Sequence, residues 1–188
     1  MPSRRRLLAG GGLLLAAAPA ALRRASAADV AEIRMRSDPD GARVGFDPVG
    51  LRVAPGTAVR WVVEANVHTA TAYHPANGGR PLRIPERAEP WDSGYLAEPG
   101  EAFEATLAAE GVYDYFCTPH EVAGMVGRIV VGRPGGPGTH PPGEGVPPAA
   151  RAAFPSVKRI MAEGVVRPSG THAHGAGRRQ TAAISPVG

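Results

Sequence analysis

A single cysteine, Cys117, is present in 188 residues, so no disulfide can close within the chain and no cysteine framework supports it. Aromatic residues make up 5% of the sequence, and nowhere do they interleave with basic residues as a nucleic-acid surface requires. The one long apolar run, 7–22, has sixteen residues, fewer than the ~20 needed to cross a bilayer as a helix. Helical periodicity is almost absent before residue 149. Together these absences argue against a disulfide scaffold, against nucleic-acid binding and against a stable membrane span once an N-terminal signal is removed, and they leave a small, strand-rich domain.

The formal net charge of +4 is unevenly spread. Residues 1–27 carry five arginines (Arg4, Arg5, Arg6, Arg23, Arg24) and no acid. Paired arginines ahead of an apolar, Gly- and Ala-rich run that ends in Ala25-Ser26-Ala27 predict a cleaved export signal over 1–27, of the twin-arginine type. An uncleaved N-terminal anchor is the other reading of that run. Export implies a periplasmic or other extracytoplasmic location. Residues 29–132 hold nine Arg and Lys against fifteen Asp and Glu, a net −6, whereas 133–188 hold seven against two, a net +5. The basic character therefore belongs to the two ends, and the central segment offers a polyanion no electrostatic attraction.

Within 29–132, short runs of strand character recur between turn residues, at 30–36, 42–46, 50–53, 57–64, 69–73, 102–107, 111–116 and 125–131. In Thr57-Ala-Val-Arg-Trp-Val-Val, alternation puts Val59, Trp61 and Val63 on one face and Arg60 on the other. Eight short strands in about a hundred residues predict an all-β sandwich. The segment 74–95, rich in Pro, Gly and charge, is long for a connection in a compact domain and reads as functional or as a cover over one end. Residues 133–148 have the Pro/Gly composition of a linker. Phe154, Val157, Ile160 and Met161 predict one amphipathic helix over 149–165, with Gly164 as its stop, and 166–188 reads as a disordered tail with a short His172/His174 pair.

The segment Cys117-Thr-Pro-His-Glu-Val-Ala-Gly-Met125 places a thiolate, an imidazole (His120) and a thioether within nine residues. One soft anionic sulfur, one borderline nitrogen and one weak sulfur are the donors of a mononuclear copper site suited to electron transfer, which needs one more histidine. A structural zinc site would close its tetrahedron with stronger donors than methionine. A bound metal also explains how an exported protein carries a lone thiol.

Residues 30–132, and most specifically Tyr115-Phe-Cys-Thr-Pro-His-x4-Met125 with the strand that follows, resemble the small blue-copper proteins, the cupredoxins, and among them the pseudoazurin, plastocyanin and halocyanin group. The resemblance implies an eight-stranded Greek-key β-sandwich, in agreement with the strand count. It also implies that the missing histidine lies just after a strand such as 57–64, which points to His68, with His74 as the rival. One type 1 copper ion would then be held by His68, Cys117, His120 and Met125. The implied function is one-electron transfer between transient protein partners by a monomer, the electron leaving by His120 among Pro119, Val122, Ala123 and Gly124. Copper storage, delivery or sensing is the alternative. Copper enzymes of this type add further histidines and a second such domain, so six histidines and one domain argue against catalysis. One departure concerns Thr69: many family members carry there an asparagine that ties the two ligand loops together, and the threonine hydroxyl is the candidate replacement.

Overall fold

The computed structural model describes residues 30–168, so the expected export signal and all of the tail beyond Pro168 lie outside the described residues. The eight expected strands all form, and they lie in two sheets. The first has the order β2-β1-β4-β6. Strand β4 (Thr57–Val63) turns Val59, Trp61 and Val63 inward and Arg60 to solvent, as a period of two and β-branched packing require. It pairs in parallel with β1 (Ala31–Ser37), setting Ile33 beside Trp61, and antiparallel with β6 (Ala102–Leu107). β2 (Val44–Asp47) closes the far edge.

The second sheet has the order β5-β7-β8-β3-β9. Its centre is the antiparallel pair β7 (Gly111–Phe116) and β8 (Val126–Val131), flanked by β5 (Thr71–Ala72) and β3 (Gly50–Val53). Ile33, Met35, Phe46, Val59, Trp61, Tyr113, Tyr115, Ile129 and Val131 fill the space between the sheets. The Trp61 and Tyr115 rings meet edge-on at 5.4 Å, a geometry the aromatic quadrupole favours.

Every residue of β7 and β8 is buried, so both faces of the second sheet are covered. The outer cover is the C-terminal segment, and here the structure departs from the sequence reading. The expected helix over 149–165 is two short helices, α1 (Pro148–Ala153) and α2 (Val157–Glu163), followed by an unforeseen strand β9 (Val165–Val166) on the edge of β3. The break falls where Phe154 precedes Pro155: clash with the proline ring drives Phe154 to extended backbone (φ −63°, ψ 128°). Ser156 then caps α2 by accepting from the Arg159 amide, and Gly164 ends it with a positive φ as expected. Ile160 and Val166 cover Val112 and Val130. Val146, Ala150 and Phe154 cover Tyr73, Phe116 and Val126.

The segment 133–148 is likewise laid down against the sandwich instead of spanning a gap. Gly138 is buried against Val112 and Arg83, where a Cβ would lie 2.7 Å from the Val112 carbonyl oxygen. The Val112 amide donates to Gly135 O at 3.0 Å, and Arg83 Nη2 donates to His140 O at 2.9 Å. A Gly-rich strip without side chains to bury is held here by its carbonyls, which composition does not reveal. At Ile84–Pro90 the chain makes a single turn closed by Ala88 N donating to Pro85 O, and no helix.

Candidate metal centre

Two connections meet at one end of the sandwich. The first follows β4, where Asn66 adopts a positive φ of 62°, a conformation asparagine tolerates better than most residues. It delivers His68 into a two-way bridge with Leu96: His68 N donates to Leu96 O at 3.0 Å, and Leu96 N to His68 O at 2.9 Å. The second is the β7–β8 connection. Cys117 caps a 3-10 turn over Thr118–Ala123, with Pro119 in its first positions and Gly124 ending it at φ 87°. Cys117 N donates to Met125 O, His120 N to Cys117 O, and Met125 N to His120 O, at 3.0–3.1 Å. This closed loop sets Cys117, His120 and Met125 close together by backbone geometry alone.

The side chains of His68, Cys117 and His120 converge: one donor atom from each lies within 4.8 Å of the other two. Cys117 Sγ is 3.6 Å from His68 Nδ1 and 3.4 Å from His120 Nδ1. Donors bonded to one ion at roughly 2.3 Å for sulfur and 2.0 Å for nitrogen, at trigonal angles, stand about 3.7 Å apart. The three atoms are thus preset for one metal, and their chemistry is that of a His2Cys copper plane. Met125 is fully buried, and its backbone is bonded to Cys117 and His120. His74, the rival, lies outside the group, and its Nδ1 accepts from the Ala76 amide at 3.1 Å.

Burial decides the protonation of the metal-free site. Loss of solvent, with a smaller contribution from His120, lowers the pKa of His68 to about 4, and burial also lowers that of His120. Both rings are therefore neutral near pH 7, the form that binds metal. Burial pushes the Cys117 thiol up to about 11, against the opposing hydrogen bonds from Thr69, so metal binding must displace a proton. The Thr69 amide lies 3.3 Å from Cys117 Sγ, ready to stabilise a thiolate.

Thr69 also joins the two loops. Thr118 N donates to Thr69 Oγ1 at 2.8 Å, and Thr69 Oγ1 lies 2.9 Å from Thr71 Oγ1, which donates to Asp92 Oδ1 at 2.9 Å. Sequence reading missed two further partners. Ser37, at the end of β1, sits 3.0 Å from His68 Nε2, and only the parallel pairing of β1 with β4 brings it there. Glu121, the buried acid beside His120, was legible only as a charge in an otherwise uncharged stretch of the loop.

Comparison with known proteins agrees with this geometry. Residues 33–132 match the family model described as copper binding proteins, plastocyanin/azurin family. A chloroplastic plastocyanin of Tetradesmus obliquus is 33% identical over 107 residues, which cover 57% of this chain and 70% of that protein. A halocyanin of Natronomonas pharaonis is 34% identical over 88 residues, covering 46% and 47%. Among solved structures, a pseudoazurin of Sinorhizobium superposes with a TM-score of 0.51 at 30% identity, over 70% of this chain and 93% of its own. Fold, donor geometry and sequence likeness coincide over one stretch of the chain, which therefore belongs to the plastocyanin/azurin family of copper-binding proteins, the cupredoxins.

Proposed function

We propose that the protein is an exported one-electron carrier whose single type 1 copper ion is held by His68, Cys117, His120 and Met125. The observation that carries this reading is the convergence of a thiol and two imidazole nitrogens at 3.4–3.6 Å in a buried pocket. Bound there, copper supplies a centre that alternates between two adjacent valences. The protein's part is to keep the donors still. With Nε2–H donated to Ser37 Oγ, His68 presents the Nδ1 lone pair to the site. The Thr69 amide offsets charge on the Cys117 sulfur, and the Thr69–Thr118 bond holds the two loops at one spacing. Burial of His68, Cys117 and Met125 keeps water away from the metal, so little rearrangement accompanies the change of valence.

His120 is the partly exposed member of the set and is our exit for the electron. Pro119, Val122 and Ala123 beside it are exposed, Val122 by 74%. A small uncharged surface of this kind suits brief docking of redox partners. The mature protein is proposed to act as a monomer in an extracytoplasmic compartment, after removal of 1–27, and without enzymatic activity.

Absorption and paramagnetic resonance of the copper-loaded protein test the reading. The oxidised form is expected to show an intense thiolate-to-copper band in the red, which disappears on reduction and returns on reoxidation. A colourless protein that binds one Cu(II) would overturn it. Met125→Leu is expected to keep the band and raise the potential; an unchanged potential would remove Met125 from the ligand set.

A further inference from the structure

Glu121 follows His120 directly, and it is the one buried residue of the 3-10 turn that carries the ligand loop. Its side chain is 2% exposed, and electron transfer itself gives it no task. Burying a carboxylate is costly unless it is paired and hydrogen-bonded, and Glu121 has both kinds of partner. Tyr73 donates its hydroxyl to Oε1 at 2.7 Å, and Arg80 Nη2 lies 2.5 Å from Oε2.

These partners come from outside the ligand loop. Tyr73 follows β5 and is itself fixed at both backbone groups: its amide donates to Asp114 O at 3.0 Å, and its carbonyl accepts from Arg83 N at 2.9 Å. Arg80 belongs to the long connection 74–95, and its guanidinium lies 5.2 Å from the centre of the Phe116 ring, next to Cys117. At its start the turn is tied to Thr69 and Thr71 through Thr118, whereas Pro119, Val122 and Ala123 are exposed, so past His120 Glu121 is its one buried side chain. On the side of α1, Gly124 meets helix backbone: a Cβ there would lie 3.3 Å from Ala149 O. A turn exposed at Pro119, Val122 and Ala123, on both sides of its ligand, needs a fixed inward contact next to that ligand to hold it at one distance.

We propose that Glu121 is a positioning residue for His120, pinning the ligand loop to Tyr73 and to Arg80 of the 74–95 connection so that the His120 imidazole meets the metal in one geometry. This rests on the copper reading above. It also assigns a task to part of the 74–95 connection, which reaches the site through Arg80.

The test uses the full chain loaded with copper, comparing wild type with Glu121→Ala, Glu121→Gln, Tyr73→Phe and, as a control, Tyr113→Phe. Tyr113, on β7, is likewise a buried tyrosine, but its hydroxyl donates to Ala109 O at 2.7 Å and not to the ligand loop. Copper affinity by chelator competition and the Cu(II) resonance spectrum are the readouts, with circular dichroism of each metal-free protein to establish folding. Glu121→Ala is expected to lose about 10–100-fold in affinity, the range for partners that orient a ligand, and to change the resonance parameters. Glu121→Gln, which keeps an acceptor for Tyr73, is expected to restore most of both, and Tyr113→Phe to change neither. A folded Glu121→Ala protein with wild-type affinity and spectrum would overturn the proposal. If that variant does not fold, Tyr73→Phe decides: a smaller loss in the same direction supports it, and unchanged affinity and spectrum overturn it. A wild-type protein lacking the red band withdraws the copper reading as well, and that result precedes any variant.

Discussion

At the scale of single residues, His68 and His74 were equally placed by spacing, since six residues of extended chain bring both to one side. Convergence on Cys117 favours His68. The expected outcome is that His68→Ala abolishes the red band of the copper-loaded protein while His74→Ala leaves it unchanged, as read by absorption. The same burial makes the metal-free protein sensitive to acid. His68 takes a proton near pH 6.5 in the unfolded chain but only near 4 when folded. The unfolded state therefore binds more protons between those values, and stability falls as pH is lowered through that window. The full shift corresponds to a loss on the order of 3 kcal/mol. Urea midpoints at pH 7 and at pH 4.5 check this, with His68→Gln expected to lose less than wild type.

At the scale of elements, the site is the meeting of a strand-end segment and a hairpin loop, and one hydroxyl joins them. Thr69 stands where the family resemblance leads us to expect asparagine, and its Oγ1 accepts from the Thr118 amide at 2.8 Å. Thr69→Val removes the acceptor while keeping the shape, and leaves a partly buried N–H without a partner. The expected cost is about 1–3 kcal/mol in the metal-free protein, with faster hydrogen exchange at the Thr118 amide. Thr69→Asn, whose side-chain oxygen can accept the same bond, is expected to recover much of the loss. Denaturant unfolding of the three proteins measures both outcomes.

At the scale of the whole molecule, a buried charge cluster fastens the C-terminal segment to the sandwich. Asp114 is fully buried on the outer face of β7. Arg83 Nε donates to its Oδ2 at 2.7 Å, and Arg128 Nε to its Oδ1 at 2.7 Å. The two guanidiniums then reach onward to His140 O and Pro155 O, each at 2.9 Å. Asp114→Ala leaves two buried cations without their anion and is expected to destabilise the protein by about 3–5 kcal/mol, measured by urea unfolding at neutral pH. The opposite net charges of the central and C-terminal segments contribute less: Arg133–Glu110 and Arg167–Asp47 are pairs with largely exposed arginines, and such pairs are worth little.

The sequence by itself determined the β class, the positions of eight strands and the Cys117–His120–Met125 donor loop. Each is local: a period of two selects a face, and a nine-residue segment supplies three donors wherever the chain folds. The family likeness added His68 as the fourth expected ligand. Only the tertiary structure brought His68, and not His74, beside Cys117 and His120, brought Ser37 and Glu121 to the site, and laid 133–148 against the sandwich where a linker was expected. Those outcomes depend on partners far apart in the chain (31 residues between Ser37 and His68, 48 between Tyr73 and Glu121). No local pattern encodes such pairings, because they exist only once the two sheets have closed on each other and the C-terminal segment has covered the second.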